Sequence, residues 1–542
     1  MRGRDPRVWL AGAWIVGLLA GCAGGSGGSG SGADDLGFGG PDPPESISLV
    51  TSNGQVLIDW EPVDGASSYL LYFGFSAALS PSTAPSVQVA SPPYVFEDLP
   101  SGLDLYTVIT SVSAEGQGPP SDEQMVPIAP GSPERYFPDW ADAPVGTELT
   151  FDYNGSLSSA QNGANLKAAM QGLAAGEQLE VGGGTYTVDS FFDLSVSGNA
   201  SAPIRIVARE GETPVITRSD ANQNTLNIGG GGAAYLLLRG FEITSGDIAL
   251  RLFSCSNVWI DQCHIHDCAQ NAIAANSEPT DHLYFTRNEI HSTAGTGEGI
   301  YLGGNFGNPV SAHSVIALNH VYDTAGSQGD GIEVKQGSYG TWIAENVVHD
   351  TKYPCILVYG TAGEEVNIVE RNVCWNSQDN VMQVQGEAIV RNNLIMSGAN
   401  GFYSSDHQDD SRDLTVVHNT IINSGGPAAR LTSWDDRPGM VFANNACYSQ
   451  FDQAIFFSGG STGVEVSGNV AFGAVQGVAD GYTVGGGLSD FVDVSWDATA
   501  MDGSPSPGGA LMGAGDAAYG EIDDFFGDLR QLSLESGAAD GP

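Results

Sequence analysis

An asparagine that recurs at nearly regular spacing through the middle of the chain constrains the fold more than any other feature. Each repeat places a short apolar run before the asparagine and an aliphatic or small residue after it, as in residues 343–348, IAENVV. Each interval, of 21 to 31 residues, also holds a second short apolar run, such as residues 332–334, IEV. The repeated register positions are Cys263, Asn288, Asn319, Asn346, Asn372, Asn393, Asn419, Asn445 and Asn469.

A repeat of this length cannot bury its own apolar face, so the repeats must stack. Stacking coils about 4.8 Å apart aligns like residues and closes one continuous core. An asparagine at the same bend of every coil can then form a ladder of amide hydrogen bonds, which pairs polar groups that would otherwise be buried alone. These features predict an all-β fold, a right-handed parallel β-helix. The leucine spacing of leucine-rich repeats and the hairpin turns of propeller blades do not occur in the pattern.

The first 22 residues are typical of a targeting segment. Arginines at positions 2, 4 and 7 precede an apolar run over residues 8–20, which is too short to span a bilayer as a helix. The run ends in residues 19–22, LAGC, which resembles a bacterial lipobox. That resemblance implies cleavage before Cys22, a lipid on its thiol, and a place in the cell envelope at the outer membrane or cell surface. Residues 23–42 are rich in Gly and Ser and are expected to form a flexible tether.

Residues 43–130 show the period-two alternation of a small β-sandwich. Apolar and polar residues alternate over 56–60, 69–72, 87–89 and 106–109, with Pro, Gly, Asp and Ser between these runs. Trp60, Tyr69 and the pair Leu99 and Tyr106 resemble the pattern of a fibronectin type III module. We expect this domain to act as a spacer. The β-helix with its amino-terminal cap is expected over residues 131–500, followed by a tail segment over 501–542.

The net charge of the chain limits the classes of molecule that it can bind. Asp and Glu number 64 against 19 Lys and Arg, for a formal charge of −45. A protein this anionic repels phosphate backbones, which excludes a general nucleic-acid binder. Hydrophobic residues make up 41% of the chain, which is enough for a real core. We expect a monomer whose acidic surface suits a salty external medium.

The repeat region starts with a short amphipathic segment over 165–173, then residues 176–181 (GEQLEV), 184–186 (GTY), 202–206 (APIRI) and 214–216 (PVI). This order resembles the pectate-lyase-like superfamily, and within it the chondroitinase-B and alginate-lyase family. Residues 504–516 and 524–527 (DFFG), followed by Arg530, are similar to tail segments of that superfamily. The resemblance implies a parallel β-helix with a polysaccharide groove on one face, and a polysaccharide lyase acting on uronate-containing glycans.

The second strand of each coil should present one residue outward, and these residues should stack into a column. The expected column is Tyr301, Glu333, Leu357, Gln383, Tyr403, Arg430 and Phe456. Aromatic rings stack on sugar faces and side-chain amides form hydrogen bonds with sugar hydroxyl groups, so this surface suits an extracellular polysaccharide. The residues predicted to bind it are Tyr301, Tyr359, Gln383, Gln385, Tyr403, His407 and Trp434.

The sharpest local motif is residues 329–338, GDGIEVKQGS, because it holds one of only three lysines in the chain. Family resemblance implies that Lys335 is the base that takes the proton beside the uronate carboxylate, with Arg430 or Arg412 assisting the leaving group. It also implies a Ca²⁺ site beside the base, for which Glu333, Asp330 and Glu298 are the predicted ligands. A developing enolate needs such a cation, because the abstracted proton is weakly acidic.

Two observations keep other functions open. Arg430 lies four coils beyond Glu333, which at about 4.8 Å per coil is roughly 19 Å, too far for one reaction centre. An adjacent glutamate also favours the charged form of Lys335, which opposes its use as a base unless a metal intervenes. A glycoside hydrolase would instead use two carboxylates about 5–9 Å apart, drawn from Glu298, Asp330, Glu333 and Asp406. A non-catalytic glycan-binding or structural surface lipoprotein is the other alternative.

A second column consists of aromatic residues three positions after the ladder. Stacked exposed rings explain it, and a metal-binding stripe is the alternative. Its members are His266, His291, Tyr322, His349 and Trp375. Among the cysteines, Cys255 with Cys268 is the one pair considered for a disulfide, whereas Cys374 and Cys447 share a register three coils apart, too far to bridge.

Overall fold

The structure is a computed structural model that describes most of the chain from residue 39 onward. The described residues are 39–44, 47–52, 55–74, 79, 81, 84, 86–96, 104–127, 133–521, 523–527, 530 and 535–539. The predicted signal segment, the lipid-bearing Cys22, most of the tether, and Leu99 of the sandwich pattern lie outside these residues. The chain divides into two compact units, Met1–Ser132 and Pro133–Pro542.

The first unit contains two antiparallel sheets. One has three strands, Ser48–Ser52, Gln55–Asp59 and Tyr94–Phe96. The other has five strands, Ser68–Gly74, Ser86–Val89, Asp104–Ser113, Gly116–Pro120 and Gln124–Pro127. Trp60 and Tyr69 are buried between them with ring centroids 5.2 Å apart. The predicted fibronectin type III-like sandwich is confirmed.

The second unit begins with a short segment and a capping helix. A 3-10 turn spans Pro133–Tyr136, and the helix spans Ser159–Gln171, starting six residues before the predicted segment. Ser158 and Gln161 form a reciprocal capping box at its first turn. Leu166 and Met170 face inward and close the end of the apolar core.

The body of this unit is a right-handed parallel β-helix with three strand-bearing faces. Face 1 is a 14-stranded sheet. Its strands are Thr147–Phe151, Glu177–Val181, Ile204–Ala208, Ala234–Arg239, Ser256–Asp261, Thr280–Thr286, Ser311–Ala312, Val315–Ala317, Trp342–Ala344, Asn367–Glu370, Ala388–Arg391, Leu414–Val417, Val441–Ala443 and Glu465–Ser467.

Faces 2 and 3 alternate along the chain and join into a 23-stranded sheet. The strands of face 2 are Gly184–Thr187, Pro214–Arg218, Glu242–Ser245, His264–His266, Glu289–His291, His320–Thr324, Val347–Thr351, Val373–Trp375, Leu394–Met396 and Thr420–Asn423. The strands of face 3 are Asp193–Leu194, Leu226–Ile228, Leu250–Leu252, Ile273–Ala275, Ile300–Leu302, Ile332–Val334, Ile356–Val358, Asn380–Val384, Asn400–Ser404 and Ala429–Thr432. The last coils are Ala446–Ser458, Asn469–Gln476 and Tyr482–Val484.

The predicted asparagine ladder is confirmed from Cys263 to Asn469. Each amide donates to the next Oδ1 atom, as Asn346 does to Asn372 at 3.0 Å, and the same oxygen also accepts the Asn346 backbone N–H at 3.0 Å. The residue before each ladder position is left-handed, for example Glu345 with φ 52° and Arg371 with φ 54°. The asparagine side chain therefore provides hydrogen-bond partners for backbone groups at a sharp bend, where no neighbouring strand pairs with them.

The tail after the last coil packs back on the β-helix. Strands Phe491–Val494 and Met501–Pro505 pair antiparallel, and 3-10 turns span Leu488–Asp490 and Ala517–Tyr519. Outside the tail, a further 3-10 turn spans Asn305–Gly307, shortly after the face 3 strand Ile300–Leu302. Asp523 of the tail pairs with Arg371 at 2.6 Å. In the described part of the chain, no helix combines the length and apolarity that crossing a membrane requires.

The proposed Cys255–Cys268 disulfide is wrong, because both thiols are free and buried in the apolar core. Cys374 and Cys447 do share a register. Cys374 pairs with Ile395, which pairs with Ile421, which in turn pairs with Cys447. These cysteines pack in the core as small apolar side chains.

Candidate functional site

The outward column of face 3 runs in the order that the sequence predicts. Tyr301 pairs with Glu333, and the column continues through Leu357 and Gln383. Beyond Gln383 come Tyr403, Arg430 and Phe456. The flanking residues of each strand point into the core, as Ile332 and Val334 do on either side of Glu333.

Three carboxylates converge at the start of this column. Glu298 and Asp330 each lie two residues before a strand of face 3, and Glu333 is the outward residue of the second of these strands. One carboxylate oxygen from each lies within 4.8 Å of the others, and all three side chains are buried. Asn271, one coil earlier, donates its amide to Glu298. We call Glu298, Asp330 and Glu333 the acidic cluster.

Lys335 supplies the positive charge beside the acidic cluster. Its ammonium pairs with the Glu333 carboxylate. The same nitrogen lies 5.2 Å from the ring centroid of Tyr301 and 5.0 Å from that of Tyr359, so it sits between two aromatic faces. The residue is only 4% exposed.

Electrostatics in this cluster disfavour full ionisation. Burial raises the pKa of Asp330 well above its ordinary value, and the Glu333 and Glu298 carboxylates add to the shift. Burial also raises the pKa of Glu333, against the opposing effect of Lys335, and it raises the pKa of Glu298. Three carboxylates face one ammonium here, so the ionised cluster would carry a net charge of about −2.

Oxygen donors in the acidic cluster fit a hard divalent cation. Among the described residues, Asp330 Oδ1 and Glu333 Oε2 are buried with no hydrogen-bond partner. Buried polar atoms are normally paired, so two orphaned carboxylate oxygens in one cluster require an explanation. A Ca²⁺ ion takes carboxylate and amide oxygens and would balance the excess charge.

A loop crosses the coils that hold Lys335, Tyr359 and Gln385. This loop, residues 405–411, follows the face 3 strand Asn400–Ser404 and runs back over earlier coils; we call it the strap. The His407 ring stacks on Tyr359, with centroids 5.2 Å apart and an interplanar angle of 22°. Gln385 donates to the backbone carbonyl of Asp409 at 2.7 Å.

The far end of the strap reaches a turn four coils before its own strand. Gln408 donates to the Asn305 side chain at 2.9 Å and accepts the backbone N–H of Phe306 at 2.6 Å. Asp406 holds the near end through Arg437 at 2.8 Å. This bridging explains why Lys335 and Gln385 are buried although both lie on an outward face.

The two arginines named from the sequence do not join Lys335. Arg430 lies four coils along the column from Glu333, with its guanidinium 5.8 Å from the Tyr403 ring. Arg412 pairs with Glu387 at 3.1 Å and with Asp409 at 3.5 Å. Four coils are too far for one reaction centre, so the sequence-based assignment of Arg430 to Lys335 is wrong. The assignment of Arg412, which pairs with the strap, stays a prediction.

The assignment of Trp434 to the sugar-binding surface is also wrong. Its side chain is 1% exposed, and its indole N–H donates to the Ser404 hydroxyl at 2.9 Å. The ring packs edge-on against Phe457 with centroids 5.9 Å apart. The turn after strand Ala429–Thr432 folds this side chain into the core, where burying a large ring is favourable.

Three residues of this region were missed in the sequence. Asn271 precedes Glu298 by 27 residues, about one coil, and this spacing is a signal that could have identified it. Gln336 contacts Asp409 at 3.4 Å, and Gln408 anchors the strap. The long interval between strands Asn400–Ser404 and Leu414–Val417 indicates an extended loop, but no periodic pattern indicates its direction.

One family model supports the β-helix fold. Residues 215–373 and 328–471 match the family model of the right-handed beta helix region. A pectate lyase structure, Pel9A, is 15% identical, covering 74% of this chain and 98% of its own, with a TM-score of 0.46. An alginate lyase from Paenibacillus sp. str. FPU-7 is 15% identical, covering 59% and 98%, with a TM-score of 0.36.

The first unit has its own structural neighbours. An Fn3-like protein from Clostridium thermocellum is 21% identical, covering 16% of this chain and 90% of its own, with a TM-score of 0.14. No curated protein sequence matches this chain.

Proposed function

We propose that the β-helix binds a uronate-containing polysaccharide along the face 3 column and cleaves it by β-elimination, with Lys335 as the base. The observation that carries this proposal is the acidic cluster with its two orphaned oxygens beside a single buried lysine. A buried site that combines a base with carboxylates of raised pKa is a common mark of catalysis.

Each residue has a part in the proposed reaction. Lys335, in its neutral form, accepts the proton from the carbon that bears the uronate carboxylate. The electron pair left behind forms a carbon–carbon double bond, and the glycosidic oxygen departs with the electrons of its broken bond and takes a proton from water. A Ca²⁺ ion held by Glu298, Asp330 and Glu333 would supply the positive charge that this developing enolate needs.

Access to Lys335 requires that the strap moves. Lys335 is buried, and the strap contacts its neighbours Gln336 and Tyr359, whereas Tyr301 and Tyr403 are half-buried on the open column. The two rings can stack on sugar faces before the strap opens, while Gln383 offers an amide between them. Arg430, further along, suits a uronate carboxylate of a neighbouring sugar unit.

A glycoside hydrolase is the second candidate. The raised pKa of Asp330 would keep one carboxyl protonated beside others, as a general acid requires. Against it, the acidic cluster is buried beside Lys335, and one oxygen from each of its three carboxylates lies within 4.8 Å of the others. Glycosidases hold their pair on opposite sides of the scissile bond, about 5–9.5 Å apart.

Product chemistry separates these functions. Polyuronates are incubated with the full chain in high salt, with Ca²⁺ or with a chelator, and ultraviolet absorbance of unsaturated uronate is followed. High salt screens the repulsion between a polyanion and a chain of charge −45. A lyase produces the absorbing product in Ca²⁺, and Lys335→Gln abolishes it while glycan binding remains.

The matched control is Lys352→Gln. Lys352 is exposed, and its ammonium donates to the Gln378 side chain at 2.9 Å rather than to the acidic cluster. It should keep wild-type turnover. Reducing sugar without ultraviolet absorbance would indicate the hydrolase instead. Binding without any product would indicate a glycan-binding protein, and neither binding nor product would leave a structural surface protein.

We also propose that the mature chain is anchored to the bacterial envelope through lipid on Cys22. The motif LAGC over residues 19–22 and the Gly/Ser tether support this. Metabolic lipid labelling should tag wild type and a Ser26→Ala control equally. Cys22→Ala should lose the label and appear in the soluble fraction, and persistent labelling of that variant would overturn the proposal.

A further inference from the structure

The outer surface of face 2 carries five of the nine histidines of the chain. They occupy two neighbouring columns, and the rings in the column of His266, His291 and His349 lie nearly parallel from coil to coil. His266 stacks on His291 with centroids 5.1 Å apart, and His349 stacks on Trp375 at 4.1 Å. The sequence-based expectation of stacked rings is confirmed, but stacking does not account for how the ring nitrogens are arranged.

Three imidazoles converge at one end of these columns. His264 Nε2 and His291 Nε2 are 2.8 Å apart, and His266 offers a ring nitrogen within 4.8 Å of both. His266 Nε2 is buried and, among the described residues, has no hydrogen-bond partner. The Oε1 atom of Glu242 lies 3.5 Å from that nitrogen.

The opposite nitrogens of two rings are already held. His266 Nδ1 contacts the Asp267 carboxylate at 2.8 Å, and His291 Nδ1 contacts the Ser292 hydroxyl at 2.9 Å. This pairing orients the Nε2 atoms toward the cluster. Metal-bound histidines almost always show such a partner on their other nitrogen, because it fixes the ring and its tautomer.

We propose that His264, His266 and His291, with Glu242 as a fourth ligand, form a binding site for Zn²⁺ or a similar borderline transition-metal ion. Ligand nitrogens 2.0–2.1 Å from a tetrahedral Zn²⁺ lie roughly 3.3 Å apart, so His264 and His291 need to separate by only about 0.5 Å. Imidazole donors favour Zn²⁺, Co²⁺ and Ni²⁺, whereas Ca²⁺ prefers the all-oxygen acidic cluster on face 3.

The same surface contains a natural control two coils further on. His320 Nε2 and His349 Nε2 are also 2.8 Å apart. Tyr322 occupies the place that His266 has in the first cluster, and its hydroxyl donates to Glu289 at 2.9 Å. This second cluster therefore has two imidazoles and a tyrosine where the first has three imidazoles.

The test is Co²⁺ titration of the untagged full chain in excess Ca²⁺, followed by visible absorption and calorimetry. Wild type should develop the intense absorption of four-coordinate Co²⁺, and Zn²⁺ should displace it. His266→Tyr, which copies the second cluster, should weaken binding at least 10-fold. Tyr322→His, which copies the first cluster, should add a second ion with the same spectrum.

Three controls keep the result interpretable. His313→Gln removes an imidazole from the separate group formed with Asp281 and His282, and it should leave the spectrum unchanged. Should His266→Tyr fold poorly, His264→Gln is the replacement, checked by circular dichroism. Equal Co²⁺ affinity and spectrum in wild type and either folded variant would overturn the proposal, as would loss of the spectrum in His313→Gln.

Discussion

The side-chain amide of Asn372 donates a 2.9 Å hydrogen bond to Oδ1 of Asn393, 21 residues later in the chain. Asn393 makes the same bond to Asn419 at 2.9 Å. Asn372 Nδ2 also donates to the backbone carbonyls of Ile343 and Glu370 at 3.0 Å. One amide therefore joins three successive coils at a bend where backbone groups have no strand partner.

We expect Asn372→Leu to destabilise the β-helix by about 1–3 kcal/mol for each buried group left unpaired. The backbone N–H of Asn346 loses its acceptor in this variant. Urea unfolding of the wild type and the variant measures the difference. Gln378→Leu, at an exposed position on a neighbouring turn, should stay within about 0.5 kcal/mol. Equal midpoints for Asn372→Leu and the wild type would contradict a stabilising ladder.

Ca²⁺ should raise the thermal stability of the β-helix through the acidic cluster. An ion that binds the folded state alone, at about 100 times its Kd, adds about 2.7 kcal/mol to the free energy of unfolding. Calorimetry with Ca²⁺ and with a chelator tests this. The double variant Glu298→Gln with Glu333→Gln should lose the Ca²⁺ effect. Glu364→Gln, at an exposed site outside the cluster, should keep it. No Ca²⁺ effect in wild type would remove the metal from the proposed mechanism.

Acid should weaken the β-helix through Glu370. Burial by itself would raise the pKa of this carboxyl, but Arg391 and Arg371, each 2.7 Å away, lower it from its ordinary 4.5 to about 2. The depressed pKa contributes stability that is complete above about pH 4.5 and is lost as pH falls through about 2. The contribution is on the order of 3 kcal/mol.

Glu370→Gln measures that contribution. Its destabilisation relative to wild type should be largest at neutral pH and should shrink toward about pH 2. Denaturant unfolding at several pH values provides the measurement, with Glu364→Gln as the exposed control. A penalty that does not change with pH would mean that lost packing, rather than ionisation, accounts for the effect.

Trp434 and Tyr403 should respond oppositely to truncation. Trp434→Ala removes a fully buried ring and should cost about 3–5 kcal/mol. Tyr403→Ala removes a half-buried ring of the outward column, so it should weaken glycan binding with little loss of stability. Thermal unfolding and glycan affinity, measured on both variants, test this. Strong loss of glycan affinity in a stably folded Trp434→Ala would argue against its place in the core.

Part of this structure could be predicted because the residues that specify it recur at regular intervals in the sequence. The asparagine spacing predicted the coils and the ladder, and the period of two along each strand predicted which residues share a column. Both hold because parallel coils stack like on like, so a side chain at one register position meets its counterpart in the next coil. The order Tyr301, Glu333, Leu357 and Gln383 follows directly from that rule.

Other features depend on the tertiary structure because turns do not obey the period of the strands. The sequence named Trp434 as exposed, and only the path of its turn carries it into the core. The strap crosses the coil of Lys335 because Gln408 bonds Asn305 and Phe306, which lie about 100 residues earlier in the chain. The sequence by itself therefore determined which residues are neighbours along a face, because parallel coils stack in register. Only the tertiary structure decided which of those neighbours are covered, because the side chains of long loops form hydrogen bonds at positions that no repeat specifies.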